Sequence, residues 1–382
     1  MVVIIKIAKF FLNLIYSFLK LFPTKNKIVF LSRQSNQTPL DFKLIIDELN
    51  NKNNFNYKMV VLCQRIEGKE QIRKGIFKFV SNLFKSMYHL ATSKVCIIDS
   101  YSLPVSILKH KKDLTVIQIW HAMGKIKQSG YQTLDKPDGR SKKMALALDM
   151  HKNYDVIVAG AEAWNEAYIG SFNVSKDILW NIGLPRAAYI YNNMKRIQKK
   201  IYKRYPELKN KKIILYSPTF RVSKRSSTED LIKNIDFSKY SLIITSHPKH
   251  LLNIDNPNIY TSSKLKINIY ELLTICDYFI TDYSSLAVEA AAINKKTYYY
   301  LYDYEEYKKR NGLNLDTLKE FPKLSFRDGK KLIDNLQSGK YDIDSFNRYK
   351  EKYLPKDFDK AIVKIANFII DKMEFGNGIV KK

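Results

Sequence analysis

The stretch DYFITDYSSLAVEAAAINKKTYYYLYD, residues 277–303, contains a full strand–helix–strand unit. Its first part, DYFITDYSS, is short, apolar and aromatic, and reads as a buried strand. SLAVEAAAIN is alanine-rich and reads as a helix, and KTYYYLYD is a second strand. Two strands joined by a helix imply a parallel sheet covered on both faces. Upstream, KIILYSP (212–218) and SLIITSHP (241–248) add strands of the same type, with INIYELLTIC as a further helix. Downstream, the segments FRDGKKLIDNL and DKAIVKIANFIIDKM are helical.

The same alternation occupies the first half of the chain. KIVFLS (27–32), YKMVVLC (57–63), SKVCIID (93–99), LTVIQIW (114–120), DVIVAG (155–160) and then ILWNIGLPR supply strands, with helical patterns between them. At 382 residues the chain has room for about two domains. The expected fold class is therefore α/β: two doubly wound Rossmann-like domains in tandem, with an N-terminal amphipathic helix. The expected boundaries are 1–24 for that helix, 25–190 and 212–355 for the domains, 191–211 for a basic linker helix, and 356–382 for a C-terminal helix. Open sheets of this kind bind ligands beyond the carboxyl ends of their strands, so a cleft between the two domains is expected to hold the site.

Charge narrows the partners without naming one. Lys and Arg number 65 against 37 Asp and Glu, giving +28. This favours a polyanion, an anionic membrane or a phosphate-rich substrate, although a broad Lys, Asn, Ile and Tyr bias accounts for part of it. Cys63, Cys96 and Cys276 are widely spaced, which argues against a disulfide framework or a zinc site and for a reduced, cytosolic setting. In MVVIIKIAKFFLNLIYSFLKLF, the longest uncharged run, Phe10 to Leu19, is about half a bilayer span, and no small-residue cleavage site follows. Lys6, Lys9, Asn13, Ser17 and Lys20 share one narrow helical face. The expectation is a helix lying in a membrane interface with its lysines on anionic headgroups; docking on the protein's own core is the alternative.

Several strand ends carry polar residues suited to phosphate chemistry. His121 follows the fourth strand in QIWHAMGKIKQSG (118–130). Thr219 and Arg221 follow a strand in YSPTFR, His247 in TSHPKH, and Asp282, Ser284 and Ser285 in TDYSS. Ser284 or Ser285 would cap the following helix, whose N–H groups favour an anion such as a pyrophosphate; capping without a ligand explains the serines equally well. Glu289, one turn on, could accept ribose hydroxyls. A histidine at a strand end serves either as a general base or as a packing residue, and the residues alone leave this open. No GxxxxGK[ST], strand-following GxGxxG, GxSxG or metal-ligand cluster is present.

Taken in order, QIWHAMGKIKQSG, GLPR, YSPTFR, SHP, ITDYSSLAVEAA and YYYLYDYEEYKKRNGLNLD resemble the CDP-glycerol glycerophosphotransferases of bacterial teichoic-acid synthesis, over roughly residues 27–325. The resemblance implies a GT-B-like, membrane-associated enzyme. Such an enzyme moves glycerol or ribitol phosphate from a CDP-alditol to a polyprenyl-diphosphate-linked acceptor or growing polymer and releases CMP. By position, it implies that His121 is the base on the acceptor hydroxyl and His247 the second essential histidine. Thr219, Arg221, Asp282, Ser284, Ser285 and Glu289 would face CDP-glycerol or CDP-ribitol, and Lys125 the acceptor. The chain departs from the common pattern at WHAMG, where many relatives read WHGTP, and at GLPRAAY, which lacks an acidic residue near Arg186. The cytoplasmic membrane face is the expected location. No cofactor is expected, with Mg²⁺ assistance left open, and no nucleic acid, since no zinc-finger or RNP-like pattern occurs. A sugar-nucleotide glycosyltransferase of the same architecture is the rival reading, and an inactive assembly partner a further one.

Overall fold

A computed structural model describes residues 2–52, 57–65, 75–219, 228–245 and 256–376. The chain forms two compact units, one of residues 1–121, 129–186 and 360–382, the other of residues 122–128 and 187–359. In the first unit, β1 (Lys27–Ser32), β2 (Lys58–Cys63), β3 (Val95–Ile98), β4 (Thr115–Gln118), β5 (Val156–Ala159) and β6 (Leu179–Asn181) form a sheet in the order β2-β1-β3-β4-β5-β6. Every pairing is parallel. The inner strands are buried along their whole length, as a sheet covered on both faces requires.

The second unit repeats the plan. β7 (Lys212–Ser217), β8 (Tyr240–Ile244), β9 (Ile259–Thr261), β10 (Tyr278–Thr281), β11 (Lys296–Tyr300) and β12 (Ser325–Phe326) lie in the order β12-β11-β10-β7-β8-β9, again all parallel. The expected fold class holds. Among the described residues, the strands not expected from sequence are the three-residue β9 and two-residue β12, edge strands too short to show a period.

Each order has a switch point. Successive strands run outward from β1 to β2, after which the chain returns to β1's other side for β3. In the second unit they run from β7 to β9 and return to β10 beside β7. The switch points therefore lie between β1 and β3, and between β7 and β10, where ligands bind in open α/β sheets.

Three boundaries differ from expectation. The basic stretch expected as a linker belongs to the helix Pro185–Arg204, whose Ile190, Ile197 and Ile201 join the second unit's core. Its lysines mark only the outer face of an amphipathic helix. The C-terminal helix Ala361–Phe375 returns to the first unit, burying Ile365, Ile369 and Met373, with the Lys94 ammonium donating to the Met373 carbonyl (2.7 Å). Residues 122–128, placed in the first domain from sequence, pack in the second unit.

The N-terminal helix Val2–Leu19 is docked on the first unit through Lys9, Asn13 and Tyr16. Lys9 pairs with Asp149. Asn13 donates to the Ile107 carbonyl (3.0 Å) and accepts from the Lys109 N–H (2.9 Å). Tyr16, fully buried, meets His110 Nδ1 at 2.9 Å, while His110 Nε2 lies 2.7 Å from the Val105 carbonyl. A carbonyl only accepts, so in the neutral ring Nε2 carries the proton and Tyr16 donates to Nδ1. This reverses one expectation: Lys9 faces the protein, not a headgroup. Ile4, Phe10, Phe11, Leu14 and Phe18 point outward, next to exposed Phe77, Val80 and Phe84 of the packed helix Ile76–Thr92. By length and composition the helix also meets the minimum for a membrane span, beyond what the uncharged run suggests.

Candidate active site

His121 sits just past β4. Trp120 adopts a left-handed backbone (φ 51°), held by its N–H donating to Gln118 Oε1 (2.8 Å), and this bend turns the chain out of the strand. The rings of Trp120 and His121 lie 4.1 Å apart, and Trp120 also packs edge-on against Phe172 at 4.9 Å. His121 Nδ1 lies 3.1 Å from the backbone carbonyl of Asp99, at the end of β3. Because that oxygen can only accept, Nδ1 carries the proton, and a neutral ring keeps its lone pair on Nε2. His121 is exposed at this strand end, with one face of its ring against Trp120.

Beneath it lies a polar cluster that sequence reading overlooked. The Asp99 carboxyl is buried and accepts from Ser32 Oγ (2.6 Å) and Ser100 Oγ (3.0 Å). Burial pushes its pKa up, with the two serine bonds acting in the opposite sense. Ser32 ends β1 and Ser100 follows β3, so this cluster occupies the first unit's switch point. Its signal was the paired strand exits FLSR and IIDSYS.

In the second unit the switch point carries Thr219 and Asp282. Asp282 is 1 % exposed and accepts from the Thr219 N–H (2.9 Å), Thr219 Oγ1 (2.6 Å) and the Tyr283 N–H (2.6 Å). Its carboxylate thus clips the exit of β7 to that of β10. The same juncture is braced by Thr281 Oγ1 donating to the Ser217 carbonyl (2.8 Å). Ser284 Oγ accepts from the Leu286 N–H (3.3 Å), whereas Ser285 makes no side-chain cap. The helix that follows, Leu286–Ala292, has only seven residues, so the expected dipole contribution is small. Glu289 is 1 % exposed with Oε2 sealed from solvent, inside the unit rather than on its rim. Arg221 and His247 lie outside the described residues.

Lys125 is buried in the second unit, and burial, followed by the charge of Lys127, lowers its pKa to about 7. Its segment runs against residues 311–315. Asn314 donates its N–H to the Ile126 carbonyl (2.8 Å) and its side-chain amide to the Lys125 carbonyl (2.9 Å), while Asn311 Nδ2 donates to the Gln128 carbonyl (3.0 Å). Two stretches far apart in sequence, AMGKIKQ and RNGLNLD, are therefore one structural element. Tyr304 and Lys308 both bond Asp316, at 2.5 Å and 3.1 Å, and hold that loop in place. Arg186 has an acid from another helix: its guanidinium pairs with Asp41 Oδ2 (2.6 Å) and its backbone N–H donates to Oδ1 (2.8 Å).

Residues 14–371 match the CDP-Glycerol:Poly(glycerophosphate) glycerophosphotransferase family. The chain is 27 % identical to a teichoic acid ribitol-phosphate primase of Bacillus spizizenii, over 90 % of each chain. It is 31 % identical to a teichoic acid glycerol-phosphate primase of Bacillus subtilis, over 67 % of this chain and 68 % of that one. Its fold is similar to that of the wall teichoic acid polymerase TagF, with a TM-score of 0.75 at 17 % identity, covering 94 % of this chain and 93 % of that one. The chain belongs to the CDP-glycerol:poly(glycerophosphate) glycerophosphotransferase family and is a transferase of alditol phosphate from a CDP-alditol.

Proposed function

We propose that the chain transfers glycerol phosphate or ribitol phosphate to a hydroxyl of a polyprenyl-diphosphate-linked acceptor, or of a growing polymer, at the cytoplasmic membrane face. The observation that carries this reading is the tautomer of His121: Nδ1–H on the Asp99 carbonyl leaves Nε2 as the base. The acceptor O–H gives its proton to Nε2 as its oxygen attacks the phosphorus bearing the alditol. The bond from that phosphorus to the bridging oxygen breaks, and CMP leaves with the electron pair. Arg221, His247 and the Ser285 hydroxyl hold the donor's phosphate charge. Asp282 holds Thr219 at the exit of β7, beside the donor's phosphates. Lys125, whose pKa burial lowers to about 7, lies inside the second unit and serves the acceptor from there rather than as an exposed cation. The exposed apolar face of the N-terminal helix supports attachment to the membrane surface where such an acceptor resides.

The test is CMP release from CDP-glycerol and, in parallel, CDP-ribitol, with a lipid-linked acceptor. Release from one donor should fall by about 10²–10⁴-fold in His121→Ala. Wild-type activity retained in that variant would remove His121 as the base.

A further inference from the structure

We propose that Arg33 and Arg140, set about Tyr101 at the β1/β3 switch point, form the subsite that holds the acceptor's phosphate. The inference rests on the reading just given, that this enzyme acts on a phosphate-bearing acceptor. Both guanidinium carbons lie over the Tyr101 ring, at 5.7 Å for Arg33 and 5.4 Å for Arg140. Among the described residues neither is in an ion pair with a carboxylate. Two cations gathered on one buried tyrosine repel each other, and a bound dianion removes that cost. The strain is visible at Arg33: burial, and after it the Arg140 charge, hold its pKa below the usual value. Asp99 is the nearby acid, but its carboxyl is taken up by Ser32 and Ser100.

Arg33 also lines a cavity of about 70 Å³, with Ser100, Ser102 and Gln64 on its polar side. That volume suits a phosphate-sized group and is well below the several hundred Å³ of a nucleotide-sized pocket. The buried Gln64 Oε1 has no hydrogen-bond partner among the described residues, and a sugar hydroxyl next to the phosphate would supply one. Two features point to the acceptor rather than the donor. The Asp99–Ser100–Tyr101 run carries the carbonyl that orients His121, so the cations sit beside the base that deprotonates the acceptor. The helix Ile76–Thr92 lines the cavity with Phe79 and Leu83 while exposing Phe77 and Phe84 next to the N-terminal helix. One helix thus faces an anionic head on one side and hydrocarbon on the other.

The experiment compares wild type, Arg33→Gln and Arg140→Gln. The probes are a short alkyl-diphosphate-linked saccharide and the same saccharide as a neutral alkyl glycoside, each assayed for CMP release and for calorimetric binding without donor. Each variant should raise the KM and weaken binding of the diphosphate acceptor at least tenfold. The neutral glycoside, the KM for the CDP-alditol and binding to phosphatidylglycerol vesicles should stay within twofold. An unchanged diphosphate KM, a rise in the donor KM instead, equal losses on the neutral glycoside, or lost vesicle binding would each overturn the subsite. Arg140 is exposed, so its variant folds even where Arg33→Gln does not. If wild type released no CMP from either donor, the reading above would fall, while the binding arm would still decide the subsite.

Discussion

Replacing Phe10 and Phe18 by serine should detach the protein from membranes without unfolding it. Both rings lie on the outer face of the N-terminal helix, 66 % and 64 % exposed. Full burial of a phenylalanine is worth roughly 1.5–3 kcal/mol, so the exposed two-thirds of each ring can gain about 1–2 kcal/mol on entering lipid. The pair then accounts for about 2–4 kcal/mol, or roughly 30- to 700-fold in the partition coefficient. The cost to the fold is small, because Lys9, Asn13 and Tyr16 anchor the opposite face and serine matches phenylalanine closely in helix propensity. Deleting residues 1–22 is a poorer experiment: it removes Tyr16 from the interior, a loss comparable to the ~3–5 kcal/mol of truncating a buried aromatic. The assay is co-sedimentation with phosphatidylglycerol-containing vesicles at low and high salt, alongside thermal melting. Wild-type binding should survive high salt, since the apolar term dominates and Lys9 is spent on Asp149. A change in partition below threefold, or wild-type binding abolished by salt, would refute the apolar-face argument and return the role to the +28 charge.

Three further outcomes are expected. Asp282→Ala, which removes the acceptor of two N–H groups and a hydroxyl, should cost about 2–4 kcal/mol, read as a fall of roughly 5–15 °C in the second unit's melting; unchanged melting with lost CDP-alditol binding would make Asp282 a ligand instead. Lys125 has a folded pKa near 7, below its ordinary value, so the unfolded chain binds more protons between pH 7 and pH 10 and stability rises with pH. Denaturant melts should show a gain of about 2 kcal/mol from pH 7 to pH 9 that Lys125→Met lacks, and parallel curves would contradict it. Burial lowers the His110 pKa, so docking of the N-terminal helix is full above its ordinary pKa of about 6.5 and is lost as pH falls below that. Hydrogen exchange of residues 2–19 should therefore quicken at pH 5.5 relative to pH 7.5, after correction for intrinsic rates, and equal protection would exclude His110 as the latch.

What the sequence made legible follows from the range of the interactions involved. Ten strands and both sheets were readable because a doubly covered parallel strand must be apolar throughout, a property of three to six consecutive residues. His121, Thr219 and Asp282 were readable as strand exits for the same reason. Their hydrogen-bond partners were not, because those lie 22 and 63 residues away: the Asp99 carbonyl at His121 Nδ1, and Thr219 on the Asp282 carboxylate. Lys125 shows the limit most clearly. The resemblance implied a place beside the acceptor; in the structure the chain enters the other unit immediately after His121, and Asn311 and Asn314 set the surroundings of the Lys125 segment. The N-terminal helix erred in the opposite direction: its periodicity identified a polar stripe correctly, but a stripe does not say which face meets water. Asp149, Ile107, Lys109 and His110 decided that by offering specific partners to Lys9, Asn13 and Tyr16, while Lys6 and Ser17 stay exposed. The same reasoning explains the neglect of Arg33 and Arg140. Each is an ordinary surface arginine in sequence, 107 positions from the other, and only the β1/β3 switch point makes them neighbours on Tyr101.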